Sequence, residues 1–208
     1  MAIVPESPEL TWDIAYLFPH QGQWSDSKYL ELTDDLTHLV ELTDGRLEIL
    51  EMPTTTHQQI VLCLIRFLSD FVRVRHLGTA LMAPIRVQLR PGMFREPDIV
   101  FATSANQGFV RDEYWLGADL VMEVVSSGPK SRRRDLEEKR RDYAAAGIDE
   151  YWIIDPMHQS ILVLTLVEHE YHQVGEFRSN DIAYSKLIEG FRVPVHALFQ
   201  TDPTPRYD

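Results

Sequence analysis

Leu120-Val121-Met122-Glu123-Val124-Val125, the stretch Ser131 to Gly147 (SRRRDLEEKRRDYAAAG) and Tyr151-Trp152-Ile153-Ile154 follow one another with only short breaks. The first is a near-continuous apolar run, typical of a central strand covered on both faces. Ser126 to Lys130 interrupts it. A helix is predicted from about Ser131 to Ala146, stopping at Gly147, which suits the left-handed turn after a helix end. Tyr151 to Ile154 reads as a second buried strand, ended by Asp155-Pro156. Strand, helix and strand in this order form a right-handed crossover between parallel strands. The fold class is therefore α/β, with a mixed central sheet flanked by helices.

Working upstream, His38 to Met52 alternates apolar and polar residues around Asp44-Gly45, a hairpin signal. Thr54 to Thr56 precede a long helix from about His57 to Arg75. Its apolar positions Ile60, Leu64, Phe67, Leu68 and Phe71 keep helical spacing, and Val61, Ile65 and Val72 widen the stripe. Cys63 lies within it and Gly78 is expected to end it. Thr79 to Leu89 reads as a strand, Pro91-Gly92 as a turn, and Asp98 to Ala102 as another strand. Thr103 to Ala118 is a loop or short helix. Downstream, Ile161 to Val167 and Tyr171 to Phe177 suggest an antiparallel pair, followed by short strand or loop to Phe199. Near the start, Ser25 or Asp26 opens a short helix through about Leu32. The expected organisation is an N-terminal arm (1–24), rich in proline and aromatics, a single domain (25–199) and a C-terminal tail (200–208).

The 208 residues carry 32 acidic and 20 basic side chains, a net charge of −12, with 44% hydrophobic and 25% charged residues. That balance is globular rather than disordered, and the length suits one domain. No apolar run approaches the ~18 residues of a membrane span. Lys28 is the first basic residue, so no secretory signal is expected and the predicted location is cytoplasmic. The single cysteine, Cys63, excludes an intramolecular disulfide framework and a multi-cysteine zinc site.

A negative chain is unfavourable for nucleic acid, whose phosphates attract Lys and Arg. The charge is unevenly spread, however. Lys130 to Asp142 holds seven basic and four acidic residues, +3 locally, which leaves −15 for the remainder. The run also fits a solvated helix face laced with i,i+4 pairs, so charge alone does not choose the partner. There is no Gly-rich phosphate loop, no Gly-x-Ser-x-Gly elbow and no His-Glu-x-x-His helix. His169 and His172 fall in a polar hairpin turn and its flank, and read as surface residues rather than zinc ligands.

Three residues contradict their surroundings. Glu123 occupies the middle of an apolar central strand, where an unpaired carboxylate would cost several kcal/mol. Asp98 opens the apolar Ile99-Val100-Phe101, with Pro97 fixing an extended approach. Lys139 belongs to the stripe Leu136, Lys139, Tyr143, Ala146, which should pack on the sheet. A snorkelling lysine paired with Asp135 is the plainer reading of that position. Together, Asp98, Glu123 and Lys139 make a coherent site. Two carboxylates and a backbone carbonyl suit a hard cation such as Mg²⁺. A lysine beside the bound water could orient it, or deprotonate it if burial lowers the lysine's pKa. Phosphodiester hydrolysis is a natural chemistry for such a group.

The blocks Pro97-Asp98, Glu123-Val124-Val125-Ser126 and Asp135-x-x-x-Lys139-x-x-x-Tyr143-x-x-x-Gly147-x-x-Glu150-Tyr151-Trp152 resemble the Uma2 family of endonucleases, common in bacteria. The resemblance extends upstream through Glu41-Leu42-Thr43-Asp44-Gly45-Arg46-Leu47 and His57, and covers roughly Trp24 to Phe199. It implies the restriction-endonuclease-like fold of the PD-(D/E)XK superfamily and a Mg²⁺-dependent endonuclease acting on DNA, with Mn²⁺ as a substitute. It implies Asp98 and Glu123 as metal ligands, the Val124 carbonyl as a third, and Glu41 as an upstream acid holding metal directly or through water. The superfamily's usual lysine position is Val125 here, so the resemblance implies that the lysine has moved to the helix as Lys139. His57 matches a helix-opening histidine that contacts phosphate or water, and Tyr143 brings a hydroxyl near the site. A homodimer is implied by the superfamily's double-strand cutting, with strands near Tyr171 as one possible interface. Two other readings stay open: a binding module that has lost turnover, and a metal-dependent hydrolase of a substrate other than nucleic acid.

Overall fold

Asp44 and Gly45 both take positive φ, 47° and 75°, and turn the chain between β1 (Val40–Thr43) and β2 (Arg46–Ile49), which pair antiparallel. The computed structural model describes residues 18–200 except 35 and 37, so most of the proposed arm and nearly all of the tail lie outside the described residues. Ahead of the hairpin runs α1 (Asp26–Asp34). After it, Thr54 caps α2 (Thr55–Arg75) by accepting the His57 amide. His76, at φ 55°, ends that helix two residues before the expected Gly78, which instead opens β3 (Gly78–Met82). A Cβ at Gly78 would sit 2.0 Å from the Ala102 carbonyl oxygen, so only glycine allows this approach.

The single strand expected over Thr79 to Leu89 is in fact two strands in different sheets. Pro84 interrupts the run, and β3 and β4 (Val87–Arg90) go separate ways. A short β5 (Met93–Arg95) follows the Pro91-Gly92 turn, then β6 (Ile99–Thr103) and a 3₁₀ turn (Ser104–Phe109). Next come β7 (Leu120–Val124), α3 (residues 129–145), β8 (Glu150–Asp155), β9 (Ser160–Val167), β10 (Glu170–Arg178), β11 (Ile182–Tyr184), β12 (Arg192–Pro194) and α4 (Val195–Phe199). The central sheet has the order β10-β9-β8-β7-β6-β3, in which β7 and β8 are parallel and the other neighbours antiparallel. A second sheet, β2-β1-β5-β4, stands beside it, and β11 pairs with β12.

Strand alternation decides what each face carries. Leu120, Met122 and Val124 pack with Leu64 and Leu68 of α2, while Val121, Val125, Tyr151 and Ile153 pack with Tyr143 of α3. Glu123 shares the second parity and therefore faces α3. In the smaller sheet, Val40, Leu42 and Phe94 pack on Tyr29 of α1. Glu41 and Arg95, of opposite parity, are left for the other side.

Within α3, residues Arg134–Glu138 form a π turn, in which the Lys139 amide bonds the Arg134 carbonyl, five residues back. The extra residue rotates the inward face. Ser131, Arg134 and Asp135 are buried with Lys139 and Tyr143, whereas Leu136 is half-buried and Ala146 exposed, contrary to the predicted stripe. Tyr151 braces this turn by donating its hydroxyl to the Asp135 carbonyl at 2.8 Å.

Glu150 fixes the far end of the crossover. Its buried carboxylate accepts from Trp152 Nε1 (2.7 Å) and from the Lys186 and Leu187 amides (2.6 and 2.9 Å). Glu150→Ala would strand three donors, so unfolding free energy measured in urea is expected to fall by ~3 kcal/mol or more. A loss under ~1 kcal/mol would contradict this bracing role.

Candidate active site

Glu41 on β1, Glu123 on β7 and Lys139 on α3 meet where the two sheets and the helix abut. The Lys139 ammonium lies 2.7 Å from Glu123 Oε1, 3.2 Å from Glu41 Oε1 and 3.8 Å from Asp135 Oδ1. Tyr143 donates its hydroxyl to the same Glu123 oxygen at 2.6 Å. The pair with Asp135 therefore exists, but it is the longest of three contacts, and Lys139 is buried rather than snorkelling. Glu41 is fully buried. Its Oε2 accepts from Arg95 at 2.7 Å and its Oε1 from the Glu96 amide at 3.2 Å. Arg95 in turn grips Asp142 of α3.

Asp98 sits at the mouth of this cluster. Its Oδ2 accepts the Val124 amide at 2.7 Å and lies 3.2 Å from His57 Nε2. Asp98 thus ties the approach to β6 to the end of β7, and the first turn of α2 closes over it. Asp98, Glu123, Lys139, His57 and Val124 line one cavity of about 40 Å³, whose wall also includes Glu96, Arg134 and Asp135. Glu41 stands behind that wall, bound to Lys139. Among the described residues, no three His, Cys, Asp or Glu side chains already converge as ligands for one ion.

The ionisation states follow from crowding several acids around one ammonium. Burial opposes the charge on Lys139, but Glu123, Glu41 and Asp135 outweigh it and raise its pKa. The condition under which Lys139 could deprotonate a water, a pKa lowered by burial, is thus not met, because its carboxylate neighbours favour the ammonium. Burial also opposes the Glu41 carboxylate, yet Lys139, Arg95 and Arg134 hold its pKa down to about 2. One lysine does not neutralise every neighbour. Burial pushes Glu123 up to about 8, with Lys139 opposing and Asp98, Asp135 and Glu41 adding to the rise. His57 loses by burial but gains more from Asp98, Glu123 and the Val124 carbonyl, so its pKa rises.

Arg95, Glu96 and Arg134 are site residues that the sequence reading missed. Glu96 stands two residues before Asp98, a closeness in sequence that could have drawn it in. Arg95 follows from charge: Glu41 buried beside Glu96 calls for a cation. The basic run is less free than its composition suggests. Lys130 pairs with Glu48, Arg132 with Asp155, Arg133 with Glu137 and Glu138, and Arg134 with Glu48 and Asp135. His169 and His172 are exposed.

The Glu41 carboxylate has a pKa lowered on folding, so its stabilising effect is full above its ordinary value of 4.5 and disappears as pH falls toward about 2. The stability gap between wild type and Glu41→Gln, measured by urea unfolding, is accordingly expected to shrink between those values. A gap that does not change with pH would contradict the Arg95–Glu41–Lys139 account.

The fold agrees with that of a solved structure. A crystal structure of a "putative nuclease belonging to DUF820" from Anabaena variabilis ATCC 29413 superposes with a TM-score of 0.65 at 17% identity, over 82% of this chain and 96% of that one. No curated protein matches the chain. No described helix is long and apolar enough to cross a membrane. The sequence pattern of Uma2, described as "Putative restriction endonuclease", matches residues 26–196, and the chain belongs to that family.

Proposed function

We propose that this nuclease-family chain is a divalent-cation-dependent endonuclease that hydrolyses phosphodiester bonds in DNA. The observation that carries this reading is the convergence of Asp98, Glu123 and Lys139 on one small cavity. The donors fit a hard cation. Asp98 and Glu123 offer carboxylates and Val124 a backbone carbonyl beside His57, an all-oxygen set of the kind Mg²⁺ or Mn²⁺ takes. When bound, such an ion supplies phosphate polarisation and a more acidic attacking water.

The chain's own residues do the rest. Asp98 is held in one orientation between the Val124 amide and His57. Lys139 presents a fixed positive charge and hydrogen-bond donors at Nζ, suited to stabilising charge that develops on phosphate oxygens. Glu41 has both oxygens engaged by Arg95, Lys139 and the Glu96 amide, so its part is to hold Lys139 in place rather than to bind metal. His57, its pKa raised, favours a cationic imidazolium beside incoming phosphate. A base or sugar does not fit in about 40 Å³. Substrate is therefore read into the adjoining groove of about 330 Å³, which shares Glu51, Pro53, His57 and Ser126 with the inner cavity.

A second reading, hydrolysis of a small phosphate ester, draws on the ion pairs that occupy Lys130 to Arg134 and on the net charge of −12. Supercoiled plasmid incubated with Mg²⁺ or Mn²⁺ separates the two. Wild type is expected to nick it, more slowly as salt rises. Asp98→Asn and Glu123→Gln, both isosteric, are expected to lose at least ~100-fold in rate. No nicking, with metal-dependent hydrolysis of a small aryl phosphate instead, would favour the second reading.

A further inference from the structure

Glu96 is a buried acid for which the site described above has no use. It is 6% exposed and lines the cavity shared by Asp98, Glu123 and Asp135. Its Oε2 has no hydrogen-bond partner. Among the described residues, His57 Nδ1 is the other buried side-chain atom in that condition, and it borders the same cavity. A buried oxygen without a donor costs about 1–3 kcal/mol, and folded proteins rarely keep one unless something completes it.

The neighbouring cations do not complete it. Arg86 is committed to Asp34, Lys139 to Glu123 and Glu41, and Arg134 to Glu48 and Asp135. The adjoining space, about 40 Å³, holds roughly two or three water-sized spheres, which is room for a partly hydrated ion and little else. Glu96 and Asp98 stand two residues apart, between β5 and β6, and both line this space.

We propose that Glu96 supplies an oxygen ligand, through Oε2, to a divalent cation held in this cavity alongside Asp98. This rests on the cation required by the nuclease reading, and extends its ligand set to a residue outside the motif blocks. A cation there would supply the partner Oε2 lacks.

The test is Mn²⁺ binding by the full chain, followed as loss of the electron paramagnetic resonance signal of free Mn²⁺, with no substrate present. Wild type is expected to bind Mn²⁺, and Glu96→Gln to bind it at least ~10-fold more weakly, as Asp98→Asn does. Glu96→Asp keeps the charge but draws the oxygen back by one methylene, and is expected to weaken binding too. Circular dichroism and thermal unfolding should show all variants folded. Glu96→Gln binding as tightly as wild type, while Asp98→Asn fails to bind, would overturn the Glu96 assignment and leave the cation. Wild type binding no Mn²⁺ at millimolar concentration would overturn both.

Discussion

The ammonium of Lys139, buried between Glu123 and Glu41, is the contact on which the rest of this structure turns. It links β1 of the smaller sheet, whose apolar residues pack in a core of their own, to β7 and α3, which share another. Removing one partner of such a buried group leaves an uncompensated charge, typically a loss of ~3–5 kcal/mol. Arg95 extends the network to Asp142, so the helix is fastened twice to the smaller sheet. A buried ion pair is weak evidence for stability, since well-packed apolar side chains often do as well. Its retention here, with Tyr143 donating to the same Glu123 oxygen, fits a chain that keeps charge inside for chemistry.

Much of this was legible in sequence because the decisive signals are local. A continuous apolar run with one acid in it, Leu120 to Val125, locates a central strand and a buried carboxylate together. Helical spacing gave α2 nearly to its ends, and Asp44-Gly45 gave the hairpin. Lys139 and Tyr143 were readable as inward-facing because α3 is regular from Lys139–Ala145. The Glu150-Tyr151-Trp152 block carries the family resemblance, yet its contacts are architectural. Glu150 and Trp152 secure the loop before β12, and Tyr151 braces the π turn.

What escaped depends on partners distant in the chain. The π turn has no strong local signature, and it turned Asp135 rather than Leu136 toward the site. Pro84 marked a break, but that β3 and β4 part into different sheets depends on which strands they meet, β6 and β5. Glu41 reads equally well as a solvated hairpin acid. It is buried because Arg95, fifty-four positions on, covers it. The lysine's ionisation is not legible in the sequence for the same reason. Burial alone lowers a lysine pKa, and the carboxylates that reverse this come from β1, β7 and the preceding turn of α3.

On the function proposed above, this inward-facing charge cluster is a cation-binding catalytic centre. Anomalous diffraction from a crystal soaked in Mn²⁺ addresses it most directly. The account predicts a peak within coordination distance of Asp98 and Glu123, about 2.2 Å from their oxygens, with Lys139 still held by Glu41. A well-ordered crystal with Mn²⁺ bound only elsewhere on the chain, and Lys139 unmoved on Glu123, would contradict it.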